Sequence, residues 1–142
     1  MTDSIGASPK ALQRAQVMTA LRAASSKTGV DFDYLVKTAQ RESNFDPSAK
    51  ASTSSATGLF QFTSETWLNM VERYGAKHGV KAEGLTREQL LDLRKDASLS
   101  ATMAGELAGE NGKILAKKLG REATSAELYA AHFMGPSDAA RL

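Results

Sequence analysis

The sequence predicts an all-α domain, and three observations lead to this prediction. Apolar residues recur at the spacing of amphipathic helices in six segments of the 142-residue chain. Capping residues or glycines stand at the ends of these segments, as they do at helix termini. No segment shows a convincing alternation of apolar and polar residues, so no strand is expected. The length suits one domain over residues 8–142, long enough to bury its own core.

The first helix is predicted from its start signal. Residues 1–7 are small and polar and are expected to be a disordered N-terminal segment. Ser8 followed by Pro9 is a typical helix start, and Gly29 is expected to close the helix near Lys27. The expected apolar face consists of Leu12, Ala15, Val17, Met18 and Leu21.

The second and third helices flank a long polar loop. The second helix is expected to run from its cap, Asp31, to Ser43, and residues 44–57 read as a loop because they are rich in serine and threonine and contain a proline. Thr63 or Ser64 is expected to cap the third helix. The apolar faces of the two helices are Phe32, Leu35, Val36 and Ala39, and then Trp67, Leu68, Val71 and Tyr74.

Three further helices follow a glycine-rich loop at residues 75–85. A capping-box pattern opens a short helix at residues 86–93, and Asp96 is expected to cap a longer one that ends at Gly120. A second capping box opens a last helix over residues 126–134, before a Gly-Pro pair. The apolar face of the long helix consists of Leu99, Met103, Leu107, Ile114 and Leu115.

Composition excludes several classes of function. The net charge is only +2 and the basic residues are dispersed, which argues against a nucleic-acid partner. The absence of cysteine rules out a catalytic thiolate. With two histidines and no cluster of ligand residues, neither a metal site nor a cofactor is expected. No apolar run is long enough to span a membrane, and no signal peptide is visible at the N-terminus.

Glu42 is the candidate catalytic residue. It lies three residues after Ala39, so it is expected beside the apolar face of the second helix. A general acid must keep its proton near neutral pH, and burial against apolar groups favours the protonated form of a carboxyl group. The alternative is an exposed glutamate paired with Arg41 or Lys37. If Glu42 is the general acid, the apolar wall beside it is expected to come from Phe45, Phe60 and Phe62.

One reaction that uses a general acid such as Glu42 is the cleavage of glycosidic bonds, and enzymes of that kind usually have a second carboxylate. Glu106 is the strongest candidate, because Met103 and Leu107 flank it on one helix. Asp46 reads instead as a turn residue before proline, and Glu65 as a first-turn helix residue.

The two histidines have ordinary structural interpretations. His78 lies in the glycine- and lysine-rich loop and is expected to be solvated. His132 lies among apolar residues of the last helix and is expected to be a core histidine with its hydrogen bonds satisfied.

Three segments together carry a family resemblance. Residues 40–47 read Gln-Arg-Glu-Ser-Asn-Phe-Asp-Pro, and residues 56–67 read Ala-Thr-Gly-Leu-Phe-Gln-Phe-Thr-Ser-Glu-Thr-Trp. Residues 129–136 read Tyr-Ala-Ala-His-Phe-Met-Gly-Pro. In order and spacing, these segments resemble the catalytic domain of the soluble lytic transglycosylases, relatives of goose-type lysozyme, over about residues 20–140.

The resemblance implies a lysozyme-like fold and cleavage of the β-1,4 bond between N-acetylmuramic acid and N-acetylglucosamine in peptidoglycan. Glu42 matches the family's single acid/base, which protonates the leaving oxygen and then deprotonates the muramoyl 6-hydroxyl. That hydroxyl attacks the anomeric carbon and leaves a 1,6-anhydro product. The substrate's own acetamido group stabilises the positive charge on the sugar, so the family needs no second carboxylate.

Five further positions are expected to bind substrate. Ser43 matches the serine beside the acid, and Gln61 matches the glutamine of the cleft, whose amide can donate and accept hydrogen bonds. Phe60 stands at a methionine position, where it is expected to present an apolar wall to a sugar. Tyr129 and His132 belong to the third segment.

The third segment departs from the family pattern. His132 stands where the family usually has a tyrosine that reaches toward the acid, and Phe133 replaces an asparagine. A hydrolytic muramidase, with Glu106 as second carboxylate, therefore remains an alternative. So does a non-catalytic glycan-binding module of a larger assembly. The expected location is the periplasm or cell wall, with peptidoglycan strands as partner and a secretion, flagellar or phage tail machine as a further partner.

Overall fold

Seven α-helices make up the fold in the computed structural model, which describes residues 8–141. Predictions for residues 1–7 lie outside the described residues. Short 3₁₀ turns follow α3 and α4, and the loop between α2 and α3 contains isolated β-bridges only. The helices are α1 Pro9–Thr28, α2 Phe32–Ser43, α3 Ser64–Tyr74, α4 Arg87–Asp92, α5 Ala97–Leu119, α6 Ser125–Met134 and α7 Pro136–Ala139. The predicted all-α fold class is confirmed.

The two longest helices, α1 and α5, pack against each other and form the frame of the domain. Their close approach depends on Gly105, because a side chain there would overlap Thr28 of α1. The first half of α5 is buried on almost every side, and it contributes Ala101, Met103 and Ala104 to the core. This frame gives the shorter helices a rigid surface on which to pack.

A second part of the core is aromatic and lies under the loop that follows α2. Phe60, Phe62 and Trp67 are all buried, and the Phe62 and Trp67 rings lie 5.2 Å apart. The indole nitrogen of Trp67 donates a 2.8 Å hydrogen bond to the carbonyl of Leu90, which satisfies the polar atom of a fully buried side chain. The loop and α4 are therefore both attached to α3.

Caps explain why most helix bounds match the prediction. Ser8, Asp31, Thr63, Thr86 and Thr124 each accept a hydrogen bond from a first-turn amide through the side chain. The capping boxes predicted before α4 and α6 are both present.

The differences from prediction concern short turns and one helix end. Residues Ala76–His78, expected to be loop, form a 3₁₀ turn, and α7 continues the chain beyond the predicted end at Gly135. The positive φ of Gly135 breaks α6, and Pro136 then starts a new turn with its fixed φ. Leu12 was predicted to lie on the apolar face of α1 but is 54% exposed, because the first turns of α1 extend past the core.

Among residues 8–141, no helix combines the length and the apolar composition that crossing a membrane requires.

Candidate active site

Glu42 lies in the last turn of α2, at the border between core and solvent. The buried face of the helix consists of Tyr34, Leu35, Thr38 and Ala39, and Glu42 follows this face by one turn. Its side chain is half-buried. Glu42 therefore lies beside the apolar face of α2, as the sequence predicted.

The chain leaves α2 in an uncommon backbone conformation. Asn44 and Phe45 have φ values of 52° and 65°, in the left-handed region that non-glycine residues seldom adopt. Phe45 is buried, and the Arg14 guanidinium lies 4.7 Å from its ring centroid. Packing thus stabilises the turn that follows α2.

Ser43 holds this turn to the loop after it. Its hydroxyl lies 2.8 Å from the carbonyl of Leu59 and 3.1 Å from that of Ala39, and it accepts a hydrogen bond from the amide of Asp46. A serine hydroxyl has a single hydrogen to donate, and these two carbonyls accept it. Ser43 therefore holds the end of α2 against the loop that contains Leu59. It is not among the residues that line the cleft described below.

Arg94 supports the same loop from beneath. One guanidinium nitrogen of this buried side chain donates to the carbonyls of Ser55 and Phe62, at 2.7 and 3.0 Å. Burial lowers the pKa of Arg94, and the negative charge of Asp92 opposes this shift. Gly58, with φ of 92°, packs directly against the Arg94 backbone carbonyl. The loop is thus attached to the segment before α5.

Gln61 lines the cleft, and its side-chain amide nitrogen already donates two hydrogen bonds within the protein. That nitrogen donates to the carbonyls of Gly58 at 2.9 Å and Ala49 at 3.1 Å. Because both partners are acceptors, the nitrogen must face them and the amide oxygen is left for a ligand. The side chain expected to donate and accept can therefore only accept from a substrate in this arrangement.

Of the neighbouring rings Phe60 and Phe62, only Phe62 lines the cleft. Phe60 is fully buried, so the prediction that it presents a face to a sugar is wrong. Phe62, two residues later, lines the cleft with the small part of its ring that remains accessible. Gln61, which separates the two rings in the chain, has a positive φ of 55°.

Helix α6 brings Tyr129 to Glu42. Burial raises the pKa of the half-buried Tyr129 phenol, and the nearby Glu42 carboxylate raises it further. Tyr129 therefore keeps its proton near neutral pH and has a hydroxyl hydrogen that it can donate. The Arg41 guanidinium lies over the Tyr129 ring, 4.9 Å from its centroid.

His132, one helical turn after Tyr129, holds α6 to the loop. Its Nε2 lies 3.1 Å from the carbonyl of Phe60 and must carry a proton to donate to it. Burial lowers the pKa of His132, against opposing contributions from this hydrogen bond and from Glu42. The imidazole is therefore neutral near pH 7, and its Nδ1 is an acceptor.

Replacing His132 with glutamine is expected to make stability less sensitive to mild acid. Burial places the folded-state pKa below the ordinary 6.5, so the unfolded chain binds the proton more readily. The contribution of His132 to stability is thus complete above about pH 6.5 and is lost as the pH falls below it. Glutamine keeps an N–H donor for Phe60 but does not titrate. Urea unfolding of both proteins at about pH 7.5 and about pH 5.5 measures the difference. An equal decrease in both proteins would contradict the assignment.

These elements enclose a cleft of about 270 Å³. One carboxylate, two amide or imidazole groups, three hydroxyls and several apolar side chains face it. Among the described residues, Glu42 is the only carboxylate in the lining. The lining residues are Glu42, Ser54, Ala56, Gln61, Phe62, Thr63, Thr66, Leu107, His132 and Phe133.

Glu106 is placed away from this cleft. Its carboxylate pairs with His78 at 2.6 Å and Lys77 at 2.9 Å. Burial acts to raise the pKa of Glu106, but hydrogen bonds from Lys77 and His78 outweigh it and the pKa is lowered. The prediction of a solvated His78 is wrong, since its side chain is only 9% exposed. In the described part of the chain, no three His, Asp or Glu side chains cluster as metal ligands.

Sequence reasoning missed several members of the site. Arg94 had no motif to mark it. Phe133 was noted only as a departure from the family's asparagine, and the approach to the acid was assigned to His132 rather than to Tyr129. One signal was available for Tyr129: it and His132 are three residues apart on one helix, so both reach the same side.

The all-α fold is that of a lysozyme-like domain. Comparison with known families agrees: the model of the transglycosylase SLT domain matches residues 19–123. The chain therefore belongs to the transglycosylase SLT domain family, a family of the lytic transglycosylase, peptidoglycan-cleaving type. The matched range includes Glu42 and Gln61 and ends before α6, so Tyr129 and His132 lie outside it.

Proposed function

We propose that this protein is a lytic transglycosylase that cleaves the β-1,4 bond between N-acetylmuramic acid and N-acetylglucosamine in peptidoglycan. Glu42 is the single acid/base in this proposal. The observation that carries it is that Glu42, half-buried at the end of α2, is the only carboxylate among the described residues that line the cleft. The glycan of the periplasm or cell wall is the partner that this activity requires.

Glu42 acts twice in the reaction. Its protonated form gives a proton to the glycosidic oxygen, and the bond from this oxygen to the muramoyl anomeric carbon breaks. The muramoyl 6-hydroxyl then attacks that carbon while the Glu42 carboxylate takes the hydroxyl proton. The products are a 1,6-anhydromuramoyl end and a free N-acetylglucosamine hydroxyl, and no water is consumed. Glu42 ends protonated, ready for the next cycle.

The neighbouring groups fit these steps. Tyr129 can donate to the Glu42 carboxylate that exists between the two proton transfers, which stabilises its charge. The amide oxygen of Gln61 and Nδ1 of His132 are acceptors for sugar hydroxyls or the N-acetyl amide. The positive charge that develops on the sugar is stabilised by the substrate's own acetamido group, so this mechanism requires no second carboxylate.

Digestion of purified sacculi tests the proposal. The wild-type protein is expected to release soluble muropeptides with time. A glycan-binding module without catalysis would instead sediment with the sacculi and release nothing. Binding without release would therefore contradict the proposed function.

A further inference from the structure

Phe133 is an aromatic side chain that the fold leaves in solvent. It is 75% exposed, more than any other large apolar side chain in the described part of the chain. Leaving apolar surface in water forgoes about 25 cal/mol per Å² of burial. Phenylalanine also has no advantage in helix propensity at an exposed position of α6. Packing and helix formation therefore do not explain this residue.

The position of Phe133 connects it to the cleft. His132, its neighbour in the chain, faces inward to the Phe60 carbonyl, while Phe133 points outward and lines the cleft. The same cleft presents hydroxyls from Ser54, Thr63 and Thr66. An exposed ring beside a set of hydroxyls is a surface for a ligand that is apolar on its faces and polar on its edge.

We propose that Phe133 is a platform on which one N-acetylhexosamine ring of the glycan stacks as it enters the Glu42 cleft. A β-linked sugar with equatorial substituents exposes axial C–H bonds on its faces. These bonds carry partial positive charge and suit the negative face of an aromatic ring. The edge of the same sugar carries hydroxyl and N-acetyl groups, which suit the polar side chains of the cleft. The platform rests on the proposed function and names a substrate-binding residue for it.

A sugar suits this surface better than a protein does. Among the side chains that the structure describes near Phe133 in the sequence, the other exposed large apolar one is Met134, at 39%. A stable protein interface buries on the order of 1,000 Å² or more, which two side chains do not provide. Continuity with the cleft also favours a ligand that runs from Phe133 toward Glu42.

Titration calorimetry with chitotetraose, a β-1,4-linked tetramer of N-acetylglucosamine, tests the platform. All proteins carry Glu42→Gln, so that binding is measured without turnover. Adding Phe133→Ala is expected to weaken binding about tenfold, which corresponds to about 1.4 kcal/mol. Adding Phe133→Trp is expected to preserve affinity, and Phe133→Leu to lose most of it, because leucine is apolar but has no ring face. Leu12→Ala, at an exposed apolar site elsewhere, is the matched control and should bind as the parent does.

Three outcomes would overturn the platform. The first is unchanged affinity in the Phe133→Ala protein, and the second is full affinity with leucine. The third is a concentration-dependent dimer of the parent, seen by sedimentation and abolished by Phe133→Ala, which would assign the ring to a second copy of the chain. Failure of the proposed function is separate: the wild type would then release no muropeptides, whatever the binding data show.

Discussion

Replacing Glu42 with glutamine is expected to lower the release of muropeptides from sacculi by about 10²–10⁴-fold, the usual contribution of a general acid–base group. Glutamine has nearly the same shape but can neither give a proton to the glycosidic oxygen nor take one from the 6-hydroxyl. In the proposed mechanism Glu42 serves in both steps, and no other carboxylate among the described residues lines the cleft. Initial rates on labelled sacculi measure the effect. The fold should be retained, because Glu42 is only half-buried.

Glu106→Gln is the matched control for this variant. It removes a carboxylate of the same length from outside the cleft, where Glu106 pairs with His78 and Lys77. This variant is expected to keep most of its activity and to lose some unfolding free energy, since a largely buried ion pair is broken. Equal release by wild type and Glu42→Gln would refute the role of Glu42. A large loss of activity in a folded Glu106→Gln would support a two-carboxylate hydrolase.

Replacing Gly58 with alanine is expected to lower the free energy of unfolding by about 2–4 kcal/mol. About 1 kcal/mol comes from the positive φ of 92°, which suits glycine, and the rest from overlap with the Arg94 backbone carbonyl. The overlap acts on the loop that positions Gln61 and Phe62. Muropeptide release is therefore expected to fall as well, even at temperatures where the variant remains folded.

Gly84→Ala separates the two causes. Gly84 has a φ of 88°, close to that of Gly58, but open space surrounds its side-chain position. This control is expected to cost only about 1 kcal/mol and to leave activity unchanged. Urea unfolding of the two variants gives the comparison. Equal losses in both proteins would mean that the contact between Gly58 and Arg94 does not support the loop.

The helices could be predicted because their signals are local. Ser8-Pro9, Asp31 and Thr124 can each be recognised as a helix start from the few residues around them. The structure shows the corresponding caps. The position of Glu42 followed equally well, because it depends only on the period of one helix.

The site was harder to predict because it depends on contacts between distant segments. Arg94 bonds to carbonyls 32 and 39 residues away in the chain, and no local pattern marks such a contact. Phe60 is fully buried and Phe62 lines the cleft, and the composition of the segment does not distinguish these two phenylalanines. Tertiary packing, and not the motif, therefore decided which side chains face the cleft.

The mass of the released muropeptides tests the central claim most directly. If Glu42 acts alone and the muramoyl 6-hydroxyl is the nucleophile, the products end in 1,6-anhydromuramic acid and are one water lighter than reducing ends. Digestion in ¹⁸O-labelled water should then leave their mass unchanged. Products heavier by one labelled water would show that water attacks the anomeric carbon, and they would contradict the transglycosylase mechanism.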